Sequence, residues 1–205
     1  MGEPAGDALV VATWNVNSIK MRLAHVLAWL EQHRPDVLAI QEIKTVAEDF
    51  PAEAFAGCGY VAAVHGQRTY NGVALLARQP VDGVERGLEE HAADDQARVV
   101  SGRIQGVPLV NVYVPNGQEV GSDKYAYKLA WLDGLARHIA ARHRPDEPLI
   151  VLGDFNVAPE ERDVYDPDVF AGEILFSDPE RAALKRLFDW GLVDLFRRFH
   201  AEPRL

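Results

Sequence analysis

The chain has 205 residues, of which 48% are hydrophobic and 25% are charged, and its formal net charge is −10. This length allows one domain with a full core, and the composition excludes an intrinsically disordered protein. The negative charge argues against a general polyanion-binding protein. A negative net charge is compatible with a nucleic-acid enzyme whose acidic residues surround a divalent cation.

Cysteine usage and the N-terminal segment indicate the compartment. The single cysteine, Cys58, excludes an internal disulfide framework and fits a reducing environment. The first 15 residues have no basic region and no long apolar stretch, so they do not resemble a signal peptide. We therefore predict a cytoplasmic protein with no membrane contact, a flexible N-terminus over 1–8 and one domain over 9–205.

The first elements are a strand, an amphipathic helix and a second strand. Residues 9–15 are rich in β-branched side chains and predict a strand. A helix with one apolar face follows, capped by Asn17 or Ser18 and ended by Pro35. Residues 36–42 form a short continuous apolar run, which is typical of a strand buried on both faces.

The rest of the chain continues with strands that follow one another directly. Short apolar runs predict strands over 60–66, 72–78, 97–104, 108–114 and 148–156. A long helix is predicted over about 123–143. A final helix is capped by Ser177 or Asp178, has Glu180 placed for a capping box, and ends at Gly191. This order favours an α/β (α+β) fold with two packed mixed or antiparallel sheets and helices outside.

Four predicted strands end in polar side chains. These are Asn15 and Asn17, Gln41 and Glu42, Tyr113 and Asn116, and Asp154 and Asn156. Because side chains alternate along a strand, Asn15 and Asn17 are predicted to project together, as are Asp154 and Asn156. Asn and Asp also occupy turns and helix caps, and for Asn17 alone capping is the favoured interpretation. Spacing alone does not show that the four ends converge.

The chemistry of these side chains points to a hard cation and a phosphate. Carboxylate and amide oxygens suit Mg²⁺ or Mn²⁺ better than zinc. Mg²⁺ commonly takes one or two protein carboxylates and leaves its other positions to water and substrate phosphate, which matches Glu42 with Asp154. Tyr113 provides a donor for a developing oxyanion. Together the side chains predict a site that cleaves a phosphate ester with one bound metal.

Several motifs together resemble the exonuclease III family of apurinic/apyrimidinic endonucleases. The motifs are TWNVNSIKMRL, PDVLAIQEIK, YNGVALLAR, NVYVPNG and LIVLGDFNVAPEERDVYDP, in family order from about residue 9 onward. The resemblance implies membership of the endonuclease/exonuclease/phosphatase superfamily and a deoxyribonuclease-I-like, four-layered α/β sandwich. It also implies a monomeric, Mg²⁺-dependent nuclease, with Mn²⁺ as a substitute. Its substrates would be duplex DNA with abasic sites or 3′ ends.

The resemblance implies a role for each matching residue. Glu42 would be the principal metal ligand, and Asn15 would organise the metal and its waters, with Asp154 and Asn156 also at the metal site. Asp154 would orient or activate the attacking water, or protonate the leaving group, and Asn156 would stabilise the transition state. Tyr113 and Asn116 would contact the scissile phosphate. The residues implied to face DNA are Asn17, Tyr70, Asn71, Arg98 and Lys128.

One departure concerns the end of the sequence. Members of the family continue beyond the point matched by HAEPRL, through a tryptophan-rich strand and a final Asp-His pair, and no histidine here stands in a matching motif. We therefore expect a truncated chain whose second sheet is incomplete and has an open apolar edge. Two alternatives stay open. One is a superfamily phosphoesterase acting on RNA, a phosphoinositide or a sugar phosphate, and the other is an inactive fragment that binds DNA.

Overall fold

The structure is a computed structural model that describes residues 8–89 and 95–200. Apart from residue 8, the segment predicted to be a flexible N-terminus lies outside the described residues. The chain divides into two compact units. The first comprises Met1–Gly87, Asp95–Tyr113 and Leu149–Asp154, and the second comprises Leu88–Asp94, Val114–Pro148 and Phe155–Leu205.

The strands of the first unit form two four-stranded sheets within the described residues. The first sheet has the order β1-β2-β4-β3 and contains Val11–Asn15 (β1), Val37–Gln41 (β2), Val61–His65 (β3) and Val73–Ala77 (β4). The second has the order β5-β6-β7-β8 and contains Asp82–Arg86 (β5), Val99–Ile104 (β6), Val107–Tyr113 (β7) and Ile150–Asp154 (β8). Each sheet joins one parallel pair, β1 with β2 and β7 with β8, to antiparallel neighbours. The predicted arrangement of two mixed sheets is confirmed.

An apolar core lies between the two sheets of the first unit. Val37, Ala39 and Leu75 of the first sheet pack with Val100 and Leu109 of the second, and all five are fully buried. β2 and β4 are buried along their whole length, as their continuous apolar runs predicted. This core fixes the strands whose ends carry the polar residues.

The helix α1 (Ile19–His33) and the short helix α2 (Ala52–Gly57) also belong to the first unit. α1 packs its apolar face, including Ile19 and Leu30, against the first sheet. Ser18 is its N-cap, but neither predicted side-chain cap forms. Instead, the backbone N–H of Ser18 donates to the carbonyl oxygen of Glu42 at 2.7 Å. The start of α1 is thereby tied to the loop that follows β2.

The second unit contains helices α3 (Asp123–Arg142), α4 (Pro167–Phe170), α5 (Asp178–Trp190) and α6 (Leu195–Phe199). α3 and α5 pack against each other. Ser177 and Glu180 form the predicted capping box of α5, and Gly191 ends the helix. A turn of 3₁₀-helix over Glu161–Asp163 and the helix α4 interrupt the predicted loop between β8 and α5.

Three further observations complete the fold. β5 was not predicted, because its short DGVER sequence is polar and mostly exposed. In the described part of the chain, β8 is the outer strand of its sheet and its apolar residues are partly buried, and the open edge of an incomplete sheet stays a prediction. Among the described residues, none of the helices combines the length and apolar character needed to cross a membrane.

Candidate active site

Two carboxylates of the first unit meet at one asparagine. Asn15 is the last residue of β1, and its Nδ2 donates to Glu42 Oε1 and to Asp154 Oδ2, each at 2.8 Å. Glu42 directly follows β2, which runs parallel to β1, and Asp154 is the last residue of β8. The structure therefore brings together three of the four predicted strand ends at Asn15, and Tyr113, at the fourth, contacts Glu42.

The close approach of β8 to β7 requires the glycine before Asp154. Gly153 has φ +138°, and an added Cβ would lie 2.0 Å from the carbonyl oxygen of Val112. A side chain at this position would clash with β7, so the glycine of the GDFN motif permits the strand pairing that places Asp154.

Glu42 is ionised and surrounded by donors. Lys44 Nζ lies 3.0 Å from Glu42 Oε2, and the Tyr113 hydroxyl also donates to the carboxylate. Burial raises the pKa of Glu42, but the hydrogen bonds from Asn15, Lys44 and Tyr113 and the charge of Lys44 outweigh it. The pKa of Glu42 therefore lies below its ordinary value.

Tyr113, at the end of β7, is held as a neutral donor. Burial and the nearby charge of Glu42 raise the pKa of Tyr113 to about 12. The guanidinium of Arg98 stacks over the Tyr113 ring at 4.8 Å from its centroid, and Arg98 Nη1 donates to the Tyr113 carbonyl oxygen at 3.1 Å. Arg98 is only 9% exposed. Its position supports Tyr113 and corrects the prediction that it projects towards DNA.

The strand alternation behind the prediction that residues two apart project together does not reach the second residue of either pair. β1 ends at Asn15 and β8 ends at Asp154, and both Asn17 (φ 43°) and Asn156 (φ 47°) adopt the left-handed conformation. The backbone N–H of Asn17 turns back to donate to Asn15 Oδ1 at 3.0 Å, and Asn17 Oδ1 accepts from Lys44 Nζ. Strand alternation does not extend beyond the last strand residue, so it cannot place these side chains.

The loop between β3 and β4 carries Tyr70 and Asn71. Tyr70 is 68% exposed. Asn71 is buried, and its Nδ2 donates to Gln67 Oε1 at 3.0 Å and to Gln96 Oε1 at 3.1 Å. Asn71 therefore holds the loop in place, whereas Tyr70 displays its ring to solvent.

In the second unit, Asn116 and Asn156 are neighbours. Asn156 Nδ2 donates to the Val114 carbonyl oxygen at 3.0 Å, and Asn116 Nδ2 lies 3.4 Å from Asn156 Oδ1. Asn116 Oδ1 accepts from the backbone N–H of Gln118 at 3.1 Å. Asn116, predicted to contact the phosphate, and Asn156, predicted to stabilise the transition state, thus form a connected pair.

Lys128 occupies a different place from the one predicted. Its side chain is fully buried and forms an ion pair with Glu180, which is also fully buried. A lysine without exposed surface cannot present its charge to a DNA phosphate in this conformation. The predicted DNA contact of Lys128 is therefore wrong for the structure described.

Sequence reasoning missed a buried amide pair that precedes Glu42. Gln41 Nε2 donates to Thr13 Oγ1 at 3.0 Å and to Asn111 Oδ1 at 2.7 Å. Asn111 Nδ2 donates in turn to the carbonyl oxygens of Ile40 and Ala74, both at 3.0 Å. The signal was present in the sequence, since Asn111 interrupts an otherwise apolar strand and a buried amide needs partners. This pair joins the two sheets beside the Glu42 loop.

The donor set fits a hard divalent cation. Glu42 and Asp154 supply two carboxylates, and over the described residues no group of three or more His, Cys, Asp or Glu side chains forms a metal cluster. One or two carboxylates completed by water is the pattern typical of Mg²⁺. Asn15 directs its nitrogen at both carboxylates and its oxygen at Asn17, so it orders the ligands.

Residues 12–203 match the model of the Endonuclease/Exonuclease/phosphatase family. The chain belongs to this family. Exodeoxyribonuclease III of Haemophilus influenzae is 30% identical over 199 residues, which cover 92% of this chain and 74% of that protein. Such a relative places the chain among the exonuclease III-type DNA-repair nucleases of the Endonuclease/Exonuclease/phosphatase family.

Solved structures of family members have the same fold. A 3′ phosphatase from Neisseria, bound to a product DNA hairpin, is 38% identical with a TM-score of 0.91, over 95% of this chain and 76% of that one. An AP endonuclease from Archaeoglobus fulgidus is 36% identical with a TM-score of 0.93, over 97% and 77% of the two chains. The predicted deoxyribonuclease-I-like fold is thereby confirmed.

Proposed function

We propose that the protein hydrolyses phosphodiester bonds of duplex DNA, at abasic sites and at 3′ ends, and that it requires a divalent cation. The observation that carries this proposal is the Asn15 amide group bridging the carboxylates of Glu42 and Asp154. The similarity to an exodeoxyribonuclease III, a DNA-bound 3′ phosphatase and an AP endonuclease supports DNA as the substrate. The single cysteine supports a cytoplasmic, reducing compartment.

Glu42 and Asp154 would hold the cation, with Mg²⁺ preferred and Mn²⁺ as a substitute. Glu42 suits this role because its lowered pKa keeps it ionised at neutral pH. Asn15 fixes the orientation of both carboxylates from one amide nitrogen. When bound, the cation would supply Lewis-acid stabilisation of the negative charge on the phosphate.

The remaining residues are assigned to the substrate and the water. Tyr113 is protonated because its pKa is about 12, and on substrate binding its single hydroxyl proton would turn from Glu42 to a non-bridging phosphate oxygen. The Asp154 carboxylate orients the attacking water and accepts its proton, or, as a carboxylic acid, Asp154 gives its proton to the leaving oxygen. Asn116 and Asn156, in the second unit, provide amide donors for the phosphate and the transition state.

Two exposed residues of the first unit are assigned to the DNA backbone. Tyr70 presents an exposed ring and hydroxyl, and Asn17 lies exposed at the start of α1. We assign Asn71 and Arg98 to the support of the Tyr70 loop and of Tyr113, because both residues are buried and hydrogen-bonded within the protein.

The test is a substrate panel cleaved by wild type and by Glu42→Gln. The panel contains a duplex with one abasic site, duplexes with a 3′ recess or a 3′ phosphate, an RNA duplex and a phosphoinositide. Each is assayed with Mg²⁺, Mn²⁺ or EDTA. We expect cation-dependent cleavage of the DNA substrates and its loss in Glu42→Gln. Glu48→Gln, at an exposed glutamate, is the matched control and retains activity.

Two outcomes would contradict the proposal. Equal cleavage of DNA by Glu42→Gln and wild type would remove the assigned role of the carboxylate. Cleavage confined to RNA or to the phosphoinositide would assign the protein to another phosphoesterase of the family.

A further inference from the structure

The second unit contains a buried lysine that contacts both of its phosphate-binding asparagines. Lys128 lies on α3, and its side chain is fully buried. Its Nζ donates to the carbonyl oxygens of Asn116 at 3.0 Å and of Asn156 at 2.5 Å, and also to Glu180 Oε1. An ammonium group has three protons, and these oxygens provide an acceptor for each.

The carboxylate partner of Lys128 is itself fixed at the start of α5. Glu180 Oε2 accepts from the backbone N–H of Ser177 at 3.1 Å and from Ser177 Oγ at 2.5 Å. Glu180 Oε1 also accepts from the backbone N–H of Leu175 at 3.1 Å. The bond from the Ser177 N–H belongs to the capping box of α5, and the other two add to it, so the position of Glu180 is set by the helix end. Lys128 therefore links a rigid helix terminus to two loop carbonyls.

The loop after β7 is shaped around the Lys128 stem. Gly117 has φ +90°, and an added Cβ would lie 2.9 Å from Lys128 Cδ and 2.9 Å from Ile174 Cδ1. Both the backbone conformation and the space therefore favour glycine at this position. The NG sequence after Pro115 places Asn116 directly beside the residue that admits the lysine.

Stability alone does not account for this arrangement. A buried ion pair is weakly stabilising at best, because desolvation offsets much of the attraction, and apolar residues of similar volume often serve as well. What an apolar side chain cannot do is bind two carbonyl oxygens from separate loops. One of those loops carries Asn156 in a left-handed conformation that non-glycine residues rarely adopt.

We infer that Lys128, held by Glu180, is a positioning residue that fixes the side chains of Asn116 and Asn156 for phosphate binding. The inference rests on the proposed function, which assigns these asparagines to the phosphate. Lys128 binds their backbone carbonyls, and the two asparagine side chains then contact each other and the Val114 carbonyl. Its action on the reaction passes through these two amide groups.

The principal test variant is Lys128→Met/Glu180→Gln. It removes both charges together, and glutamine at position 180 retains a capping-box acceptor. We expect kcat on the best DNA substrate to fall by roughly 10²-fold, the loss typical of misplaced catalytic groups, with KM changed much less. Lys124→Met is the matched control, because Lys124 lies exposed on the same helix, and it should behave as wild type.

A double-mutant comparison separates positioning from general damage. In an Asn116→Ala/Asn156→Ala background, the lysine and glutamate substitutions should lower kcat little further, because the groups they position are absent. A full additional loss of kcat in that background would overturn the inference. So would a wild-type kcat for Lys128→Met/Glu180→Gln.

A second readout does not depend on activity. The side-chain amide NMR resonances of Asn116 and Asn156 should shift or broaden in Lys128→Met/Glu180→Gln, while those of Asn71 in the first unit stay in place. Should that variant not fold, Glu180→Gln alone gives the same test, because it removes the carboxylate charge that holds Lys128 and changes no residue next to Asn116. Unshifted Asn116 and Asn156 resonances would overturn the inference whether or not the protein cleaves DNA. A protein that cleaves no DNA but shows the shifts would refute only the proposed function.

Discussion

The carboxylate site of the first unit and the ion pair of the second use charge in opposite ways. Glu42 and Lys44, which form an ion pair, are partly exposed, with 20% and 27% of their side-chain surfaces open to solvent. Lys128 and Glu180 have no exposed side-chain surface. The partly exposed Glu42 carboxylate, held by the Asn15 amide and the Tyr113 hydroxyl, can still accept a cation from solvent. The buried pair of Lys128 and Glu180 is neutralised internally, and Lys128 also binds the backbone carbonyls of Asn116 and Asn156. Exposure thus distinguishes the carboxylate proposed to bind the cation from the ion pair proposed to support the loops.

The largest expected effect is the loss of incision in Glu42→Ala and in Asp154→Ala. Each removes a carboxylate from the proposed cation site, so we expect the rate on an abasic duplex to fall by roughly 10³-fold or more. The thermal unfolding midpoint should fall only slightly, because both carboxylates are partly exposed and the core between the sheets is unchanged. Gel-based incision assays and calorimetry measure both quantities. Near-normal incision by either variant would contradict the assignment of that carboxylate to the cation site.

The second effect concerns stability and contrasts the two lysines. Lys128→Met leaves Glu180 buried without its cation, and we expect the free energy of unfolding to fall by about 3–5 kcal/mol. Lys44→Met breaks a partly exposed pair and should change it by about 0–1 kcal/mol. Urea unfolding at pH 7 compares them. A loss in Lys128→Met no greater than that in Lys44→Met would contradict the difference drawn between the two regions.

The third effect is that of the Tyr113 hydroxyl. Tyr113→Phe removes one donor to a charged acceptor, which is worth about 1.5–3 kcal/mol, so kcat should fall roughly 10- to 100-fold. The fold should be unaffected, because Arg98 still stacks over the ring. Tyr165→Phe is the control at a tyrosine that is 98% exposed and has no assigned role, and it should leave kcat unchanged. If Tyr113→Phe left kcat at the wild-type value, the hydroxyl would have no role at the phosphate.

The smallest effect is a pH dependence of stability from Glu42. Its folded-state pKa lies below the ordinary value of 4.5, so its stabilising contribution is present above that pH and is lost as the pH falls through the folded pKa. The difference in free energy of unfolding between wild type and Glu42→Gln should therefore shrink below about pH 4.5 in metal-free buffer. A difference that grows on acidification would contradict the sign.

The sequence was sufficient to predict seven of the eight described strands and the polar residues at the ends of four of them. The apolar runs end close to Asn15, Glu42 and Asp154. Because the runs predict buried strands, polar residues at their ends indicate a candidate site. It misled where local conformation departs from the strand, as at Asn17 and Asn156, because left-handed residues break the alternation. β5 escaped prediction because its residues are mostly polar and exposed, so no apolar pattern marks it.

The position of Lys128 shows why charge alone misassigned a residue. A lysine near proposed DNA-binding motifs favours a phosphate contact, and only packing shows that its ammonium faces Glu180. The helical spacing did hold a signal. Lys128 lies three residues after Tyr125 and four before Leu132, on the buried face of α3. Arg98 was also misassigned. Its contact with Tyr113, fifteen residues away in sequence, is visible only in the structure.

The central claim is that Glu42 and Asp154, bridged by Asn15, hold the divalent cation. Electron paramagnetic resonance of Mn²⁺ tests it most directly, because bound and free ions are counted separately without any substrate. The account predicts that wild type binds Mn²⁺ and releases it to excess Mg²⁺, that Glu42→Gln and Asp154→Asn lose this binding, and that Glu48→Gln keeps it. Equal Mn²⁺ binding by wild type, Glu42→Gln and Asp154→Asn would contradict it.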